Sequence, residues 1–406
     1  MTMIKQCRGC NSPDLHLVLD LGNQPLANHL LTQKSNGPEP RYALQLMFCP
    51  SCALLQVGET IDPEILYRRD YPYFSSANPS LLKHAQEHCE YLTKRFDIGA
   101  QSLVVEIASN DGYLLRNFVG KAPVLGVDPA VGPARKAEQI GVPTINDFFG
   151  TELAEKLVSE GKQAKVIIAS NVAAHVDRIN DFLKAFKILL APDGVISFEI
   201  AYAVDMIDKC EFDTIYHEHL FYHSLIGFKN LLERNGLYMN EAVHLSIHGG
   251  SLRVYASHKP ERTPALDAWL AHEHERGVDA VAFYDKFADH VKDTAENLRG
   301  LLKRLKHDGA RIACWGAASK GATMLNYLGL GPDFFEWVID ISEQKQGKFM
   351  PGERLLIVAP QRLIDERPEY TLILVWNFAD DVIRSQSKYR EQGGRFIMPV
   401  PPRIIH

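Results

Sequence analysis

A chain of 406 residues is too long for one ordinary hydrophobic core, so two or three domains are expected. Its 46% hydrophobic and 23% charged residues give the balance of a folded enzyme, not of a disordered chain. A net charge of −6 without a long single-sign run argues against a protein built to grip phosphate backbones, and no apolar run approaches the roughly 18 residues that span a bilayer.

The opening residues Met1-Thr2-Met3-Ile4-Lys5-Gln6 lack an apolar signal segment, so a cytoplasmic location is expected. Residues 1–80 are rich in turns and hold four of the seven cysteines, as Cys7-x-x-Cys10 and Cys49-x-x-Cys52. Two thiolate pairs beside tight-turn residues suit one tetrahedral Zn²⁺ with no open position, hence a structural site. Disulfides are the competing reading, which a cytoplasmic chain disfavours. A small zinc module also invites a nucleic-acid reading, but 1–80 carry six Lys/Arg against seven Asp/Glu. Cys89, Cys210 and Cys314 show no partner pattern and read as buried apolar residues.

From residue 102 short apolar runs alternate with amphipathic stretches. Segments 102–107, 123–127, 165–169 and 194–200 read as buried strands, and 112–119, 130–140, 151–160 and 180–190 as helices between them. A helix over 225–235 and strands over 238–245 and 251–258 follow. A parallel sheet closed by an antiparallel pair is the layout of class I methyltransferases. The first strand leads into Glu106-Ile107-Ala108-Ser109-Asn110-Asp111-Gly112, a strand-to-helix turn where open α/β sheets bind ligands. Glu106, Asn110 and Gly112 are the candidate contacts in that turn. Asp128, ending the second strand, is placed for ribose hydroxyls; Asp147 and Phe148, after the third, suit an adenine amino group and ring. The dinucleotide signature G-x-G-x-x-G is absent, which disfavours a nicotinamide cofactor.

Residues 264–307 read as helical throughout, a bridge of mixed charge. The β/α rhythm then restarts with strands over 311–315, 336–340, 371–377 and 395–399. Its first turn, Trp315-Gly316-Ala317-Ala318-Ser319-Lys320-Gly321-Ala322, has small residues that admit a diphosphate to a helix N-terminus, with Ser319 and Lys320 to hold it. Lys345 and Lys348 are further candidates for the same anion. The expected organisation is α/β: a zinc module (1–80), a class I Rossmann-like domain (81–258), a helical connector (259–308) and a second Rossmann-like domain (309–406).

These pieces resemble one family from end to end of the chain: the nucleotide-sugar C-methyltransferases of branched-deoxysugar biosynthesis. The matching segments are the cysteine pairs, Tyr71-Pro72-Tyr73-Phe74-Ser75-Ser76, the Glu106 turn and Ser170-Asn171-Val172-Ala173-Ala174-His175. They continue with Tyr216-His217-Glu218-His219, His248-Gly249-Gly250-Ser251-Leu252-Arg253, the Gly316 turn, Trp376-Asn377 and Phe396-Ile397-Met398-Pro399.

The resemblance implies S-adenosylmethionine as methyl donor, and a nucleoside-diphosphate 4-keto sugar, dTDP-linked foremost, held by the C-terminal domain. It makes His219 the general base, with Tyr216, Glu218 and His175 around the enolate and Tyr71 approaching from the zinc module. It adds Asn171 to the cofactor contacts, and Tyr73 and Asn377 to the substrate contacts. The residue chemistry agrees: a ketone-flanked sugar carbon becomes nucleophilic only as an enolate, which needs a base near neutral pKa and donors to the oxyanion. A catalytic metal on His217, His219 and His223 is a competing reading. A nicotinamide-dependent sugar oxidoreductase and a zinc-containing RNA methyltransferase are the rival functions. No nucleic acid, membrane or obligate protein partner is expected.

Overall fold

A computed structural model describes residues 2–32, 37–68 and 73–405. Three sheets of four, seven and six strands carry the fold.

The seven-stranded sheet runs, in spatial order, Tyr238–Leu245, Ser251–Ser257, Leu190–Ala201, Ala164–Ser170, Val104–Ile107, Val124–Val127, Thr144–Ile145. Its strands are parallel except Ser251–Ser257, which opposes both neighbours. Every side chain of Val104–Ile107 is buried, as a strand covered on both faces requires. The winding reverses between Val104–Ile107 and Ala164–Ser170, so a crevice opens above their carboxyl ends. The expected helix over 112–119 is reduced to one turn, Leu115–Asn117. The reason is burial: Asp111–Leu115 are buried in succession, which leaves no solvent face for an amphipathic helix.

The six-stranded sheet runs Ile357–Val358, Val338–Ile339, Ile312–Trp315, Tyr370–Ile373, Arg395–Pro399, Pro402–Ile405, the last antiparallel. It is a second doubly wound unit. Its two outer strands escape sequence reading, one being two residues long and the other starting at a proline, which only an edge tolerates. The bridge between the two units is two helices, Pro264–Glu275 and Phe287–His307, interrupted where Gly277 takes φ +74°. Among the described residues, no helix is long and apolar enough to cross a membrane.

The N-terminal region holds more regular structure than its turn-rich sequence suggests. His16–Gln24, Tyr42–Cys49 and Leu54–Val57 form an antiparallel sheet, completed by Phe221–Tyr222 from the middle of the chain. The N-terminal region touches the C-terminal unit and the helical bridge. Leu31 exchanges backbone hydrogen bonds with Phe349 (2.9 and 2.8 Å), and the Phe48 ring lies 4.4 Å from that of Tyr284. Helix Pro79–Arg95 follows, capped by the Asn78 side chain on the N–H groups of Ser80 and Leu81, with proline at its first position.

Candidate active site

The four N-terminal cysteines converge. Cys7 and Cys52 sulfurs are 3.6 Å apart, as are those of Cys10 and Cys49, and all four lie within 4.8 Å of one another. A disulfide needs about 2.05 Å. Tetrahedral zinc at about 2.3 Å from each sulfur sets neighbours about 3.8 Å apart, and the cluster fits that. Gln56 donates an N–H to Cys7 Sγ at 3.2 Å, a support typical of a metal ligand. Helix Leu225–Arg234 lies against the second knuckle so closely that a Cβ at Gly227 would sit 2.4 Å from the Ala53 carbonyl oxygen.

A cavity of about 1180 Å³ opens over the switch point of the central sheet. That exceeds the roughly 300–1,000 Å³ of a single-ligand pocket. Asp128 lines it, buried, with one carboxylate oxygen accepting the Asn110 N–H and the other the Ala130 N–H, both at 2.8 Å. Burial raises its pKa to about 6. Asp147, Phe148 and Phe149 line the cavity, and the Phe149 ring also packs 5.2 Å from that of Phe186. Asn171 reaches the wall at φ +56°.

Of the three candidate residues of the first turn, Asn110 lines the cavity and Glu106 and Gly112 do not. Asn110 lines the cavity, but its amide is spent on the chain: Oδ1 accepts the Ser75 N–H at 2.8 Å and Nδ2 donates to the Tyr73 carbonyl. Gly112 stands off the wall. Its φ is +74°, and a Cβ would meet Ala137, Ile140 and Val142 at 3.2 Å, so helix packing demands the glycine. Glu106 is buried beneath the turn, and burial pushes its pKa well up against a smaller lowering by the Leu115 backbone N–H. It does not line the cavity.

Above the crevice comes Tyr216-His217-Glu218-His219. The Tyr216 hydroxyl is 2.7 Å from His219 Nε2, and both line the cavity. The His175 ring lies 4.8 Å from that of His219, and Tyr67 bridges the group through its hydroxyl, 3.1 Å from His175 Nδ1 and donating to the Glu218 carbonyl at 3.0 Å. Burial pushes His175 down to about 4. Glu218 is buried off the cavity wall, and desolvation pushes its carboxyl up to about 7. Tyr71 lies outside the described residues; Tyr73 lines the cavity. The histidine metal reading fails, since His217 Nε2 bonds to the Ala43 carbonyl at 3.2 Å and His223 is buried between Phe221 and Phe228.

The second loop reaches the same cavity with Ser319, Lys320, Lys345 and Asn377; Lys348 does not line it. Gly316 and Gly321 allow strand and helix to meet, since Cβ atoms there would sit 2.5 Å from Val375 and 2.9 Å from Leu374. Helix Ser319–Leu328 begins without a side-chain cap, leaving its N–H groups to the cavity side. Lys320 Nζ donates to Asn377 Oδ1 at 2.9 Å and lies 4.3 Å from the Trp376 ring centre. Lys345 instead ties the loop, donating to the Ala317 carbonyl at 2.8 Å.

Sequence reasoning missed Asn28, Tyr67, Glu211 and Asp213. Glu211 lines the cavity with burial raising it to about 7, and Asp213 accepts the Trp376 indole N–H at 2.7 Å, raised by burial to about 6. Both bear on Lys320. The acidic pair on the Cys210-Glu211-Phe212-Asp213 turn, five and three residues before Tyr216, was the available signal. The Gly249-Gly250-Ser251-Leu252-Arg253 motif has a structural explanation. Arg253 pairs with buried Glu199 at 2.8 Å, which also meets His84 at 2.8 Å, clamping the Pro79–Arg95 helix to the sheet.

Family models match the chain in three successive parts: a zinc binding domain (residues 7–67), a methyltransferase domain (81–242) and a C-methyltransferase C-terminal domain (246–401). The C-methyltransferase NovU of Streptomyces niveus is 34% identical over 408 residues, covering 99% of this chain and 97% of that protein. Among solved structures, the magnesium protoporphyrin IX methyltransferase of Synechocystis PCC 6803 with bound S-adenosylhomocysteine shares 14% identity over 43% of this chain and 82% of its own, at a TM-score of 0.35, too distant to carry an argument. With three domain models in order and an end-to-end relative, the chain belongs to the C-methyltransferase family and is an S-adenosylmethionine-dependent methyltransferase with a zinc-binding module.

Proposed function

We propose that the enzyme methylates C-3 of a nucleoside-diphosphate 4-keto-deoxysugar, with dTDP as the foremost nucleotide. The observation that carries this reading is a single cavity lined by the Asp128 turn, the Tyr216–His219 pair and the Ser319 loop together. Such a cavity has room for a methyl donor and a second, anionic ligand. A C-terminal turn with an uncapped helix start, Ser319 and Lys320 suits a diphosphate. A nicotinamide is disfavoured there, because the turn from Gly316 to Gly321 lacks the G-x-G-x-x-G order of a dinucleotide loop.

In the proposed reaction His219 Nε2 removes the C-3 proton, and the C–H electron pair becomes the enolate double bond. Substrate entering between Tyr216 and His219 exchanges their mutual hydrogen bond for one from the Tyr216 hydroxyl to the developing 4-oxyanion. S-adenosylmethionine, when bound, supplies an electrophilic methyl on sulfur; the enolate carbon takes it and the S–C electrons stay with S-adenosylhomocysteine. His219 then passes its proton to solvent. Incubation with labelled methyl donor and a panel of nucleotide 4-keto sugars, read by mass spectrometry, tests the reading. Label on none of them overturns it.

One ligand per loop leads to a crossed pair of outcomes. Asp128→Ala is expected to weaken S-adenosylmethionine binding about tenfold or more while leaving the nucleotide sugar nearly untouched, since a hydrogen bond to a charged group contributes about 1.5–3 kcal/mol. Lys320→Ala is expected to do the reverse. Calorimetry finding both variants equally impaired for both ligands would remove the assignment.

A further inference from the structure

Residues 73–78 lead into helix Pro79–Arg95 and fall between the segments matched by the zinc-binding and methyltransferase models. Two neighbouring side chains of the first turn nevertheless hold them to the central sheet. Asn110 holds Tyr73 and Ser75, as described above. Asp111, buried and off the cavity wall, grips the next residue twice: Oδ1 accepts the Ser76 N–H at 3.3 Å, and Oδ2 accepts the Ser76 hydroxyl. The same hydroxyl oxygen accepts from Lys136 Nζ at 3.1 Å, and that ammonium lies 3.3 Å from Asp111 Oδ2. Every group can meet its part, since an ammonium only donates, a carboxylate only accepts and a hydroxyl does both. Lys136 stands on helix Val131–Gln139, which follows Asp128, and its Nζ also lies 5.3 Å from the Phe74 ring centre. The segment is thus fastened on its outer side by both the turn and the helix that frame Asp128.

Its inner side faces the cavity. Tyr73 and Ser75 line it, and the Ser75 N–H goes to Asn110, the residue whose own N–H goes to Asp128. We propose that Asp111 is a positioning residue: through Ser76 it fixes Tyr73 and Ser75 as a wall of the methyl-donor end of the cavity. The donor site is then completed by a segment outside the one that matches the methyltransferase model. This rests on the reading of the Asp128 turn as the donor site. A carboxylate is costly to bury unless it is paired and hydrogen-bonded, so Asp111 holds Ser76 firmly, and hydrogen bonds to an ionised group are the strong ones.

The test uses the zinc-loaded full chain and calorimetry with two probes, S-adenosylhomocysteine and dTDP, so no sugar acceptor is needed. Ser76→Ala removes the hydroxyl between ammonium and carboxylate. It should weaken S-adenosylhomocysteine binding about tenfold, the size of a lost hydrogen bond to a charged group, and leave dTDP binding as in the parent. A general loss of stability would not separate the two probes. Ser76→Thr keeps the hydroxyl and should restore most of the affinity. Asp111→Asn should match Ser76→Ala, and the double variant should cost less than about twofold more, because the two side chains act as a unit. If Asp111→Asn folds poorly, the two serine variants decide the matter. Hydrogen exchange gives a second readout: S-adenosylhomocysteine should slow the amides of 74–78 in the parent and not in Ser76→Ala. Parent-like S-adenosylhomocysteine affinity in Ser76→Ala, or an equal loss of dTDP, overturns the proposal. Asp128→Ala tells the two failures apart. If it weakens S-adenosylhomocysteine while Ser76→Ala does not, the role of Asp111 falls and the donor site stands; if neither variant weakens it, the reading of that turn falls as well.

Discussion

His219→Asn is expected to bind both ligands and yet lose methylation by about 10²–10⁴-fold, the ordinary worth of general-base catalysis. In deuterated water, with S-adenosylhomocysteine in place of the methyl donor, the parent enzyme should exchange the C-3 hydrogen of a 4-keto sugar. The asparagine variant should not. The geometry makes the expectation specific. His219 Nε2 is held 2.7 Å from a phenol that can serve the oxyanion, so base and acid are presented as a pair. His175, 4.8 Å away and pushed down to about 4 by burial, stays neutral at working pH. It therefore puts no second positive charge beside His219 when that ring takes the proton. Tyr216→Phe should slow exchange and methylation less, because removal of one oxyanion donor leaves the base intact. Exchange at the parent rate in the asparagine variant would move the base elsewhere, with His175 the next residue to examine.

Elements with a strong period were legible before any coordinates. Strands over 123–127 and 165–169 and the helices after 130 and 151 lie within one or two residues of their sequence bounds, because each pairs an apolar run with clear turn residues. The cysteine cluster was legible because thiolate chemistry leaves few alternatives to its spacing. What escaped depends on contacts far apart in sequence. Phe221–Tyr222 is too short to announce itself and is a strand only because Leu54–Val57 accepts it. Asn28 meets Ser319, 291 positions away, and no local pattern encodes that. Gly112 shows the opposite failure, a glycine whose motif suggests a ligand and whose surroundings demand close packing. Lys348 was grouped with Lys345 by proximity in the chain, yet the turn after Val338–Ile339 sends only Lys345 to the cavity.

Removing the zinc is expected to disturb the catalytic segment as well as the module that binds it. The path is short. Cys49 ends one strand of the N-terminal sheet, Cys52 and Ala53 make the knuckle, and Leu54–Val57 begins at once. That strand pairs with Phe221–Tyr222, and the Val57 N–H donates to the Leu220 carbonyl at 2.9 Å, one residue past His219. Without the ion, four sulfurs packed within 4.8 Å lose what holds them, and the knuckle has little else to close it. Cys49→Ser should copurify with well under one zinc per chain by metal analysis. Losing a structural ligand should lower the melting temperature by about ten degrees, since each 1 kcal/mol moves a domain of this size by about 2–4 °C. Hydrogen exchange supplies the discriminating readout. Amides of 54–57 and 220–222 should lose protection together in the variant, while Ala164–Ser170, fully inside the central sheet, keeps its own. Because the Tyr216–His219 pair is carried by the chain just before Leu220, the folded fraction should then show a lowered kcat with S-adenosylmethionine binding at Asp128 preserved. If 220–222 stay protected while 54–57 exchange freely, the central domain holds the histidine segment unaided, and the zinc module is only a neighbour.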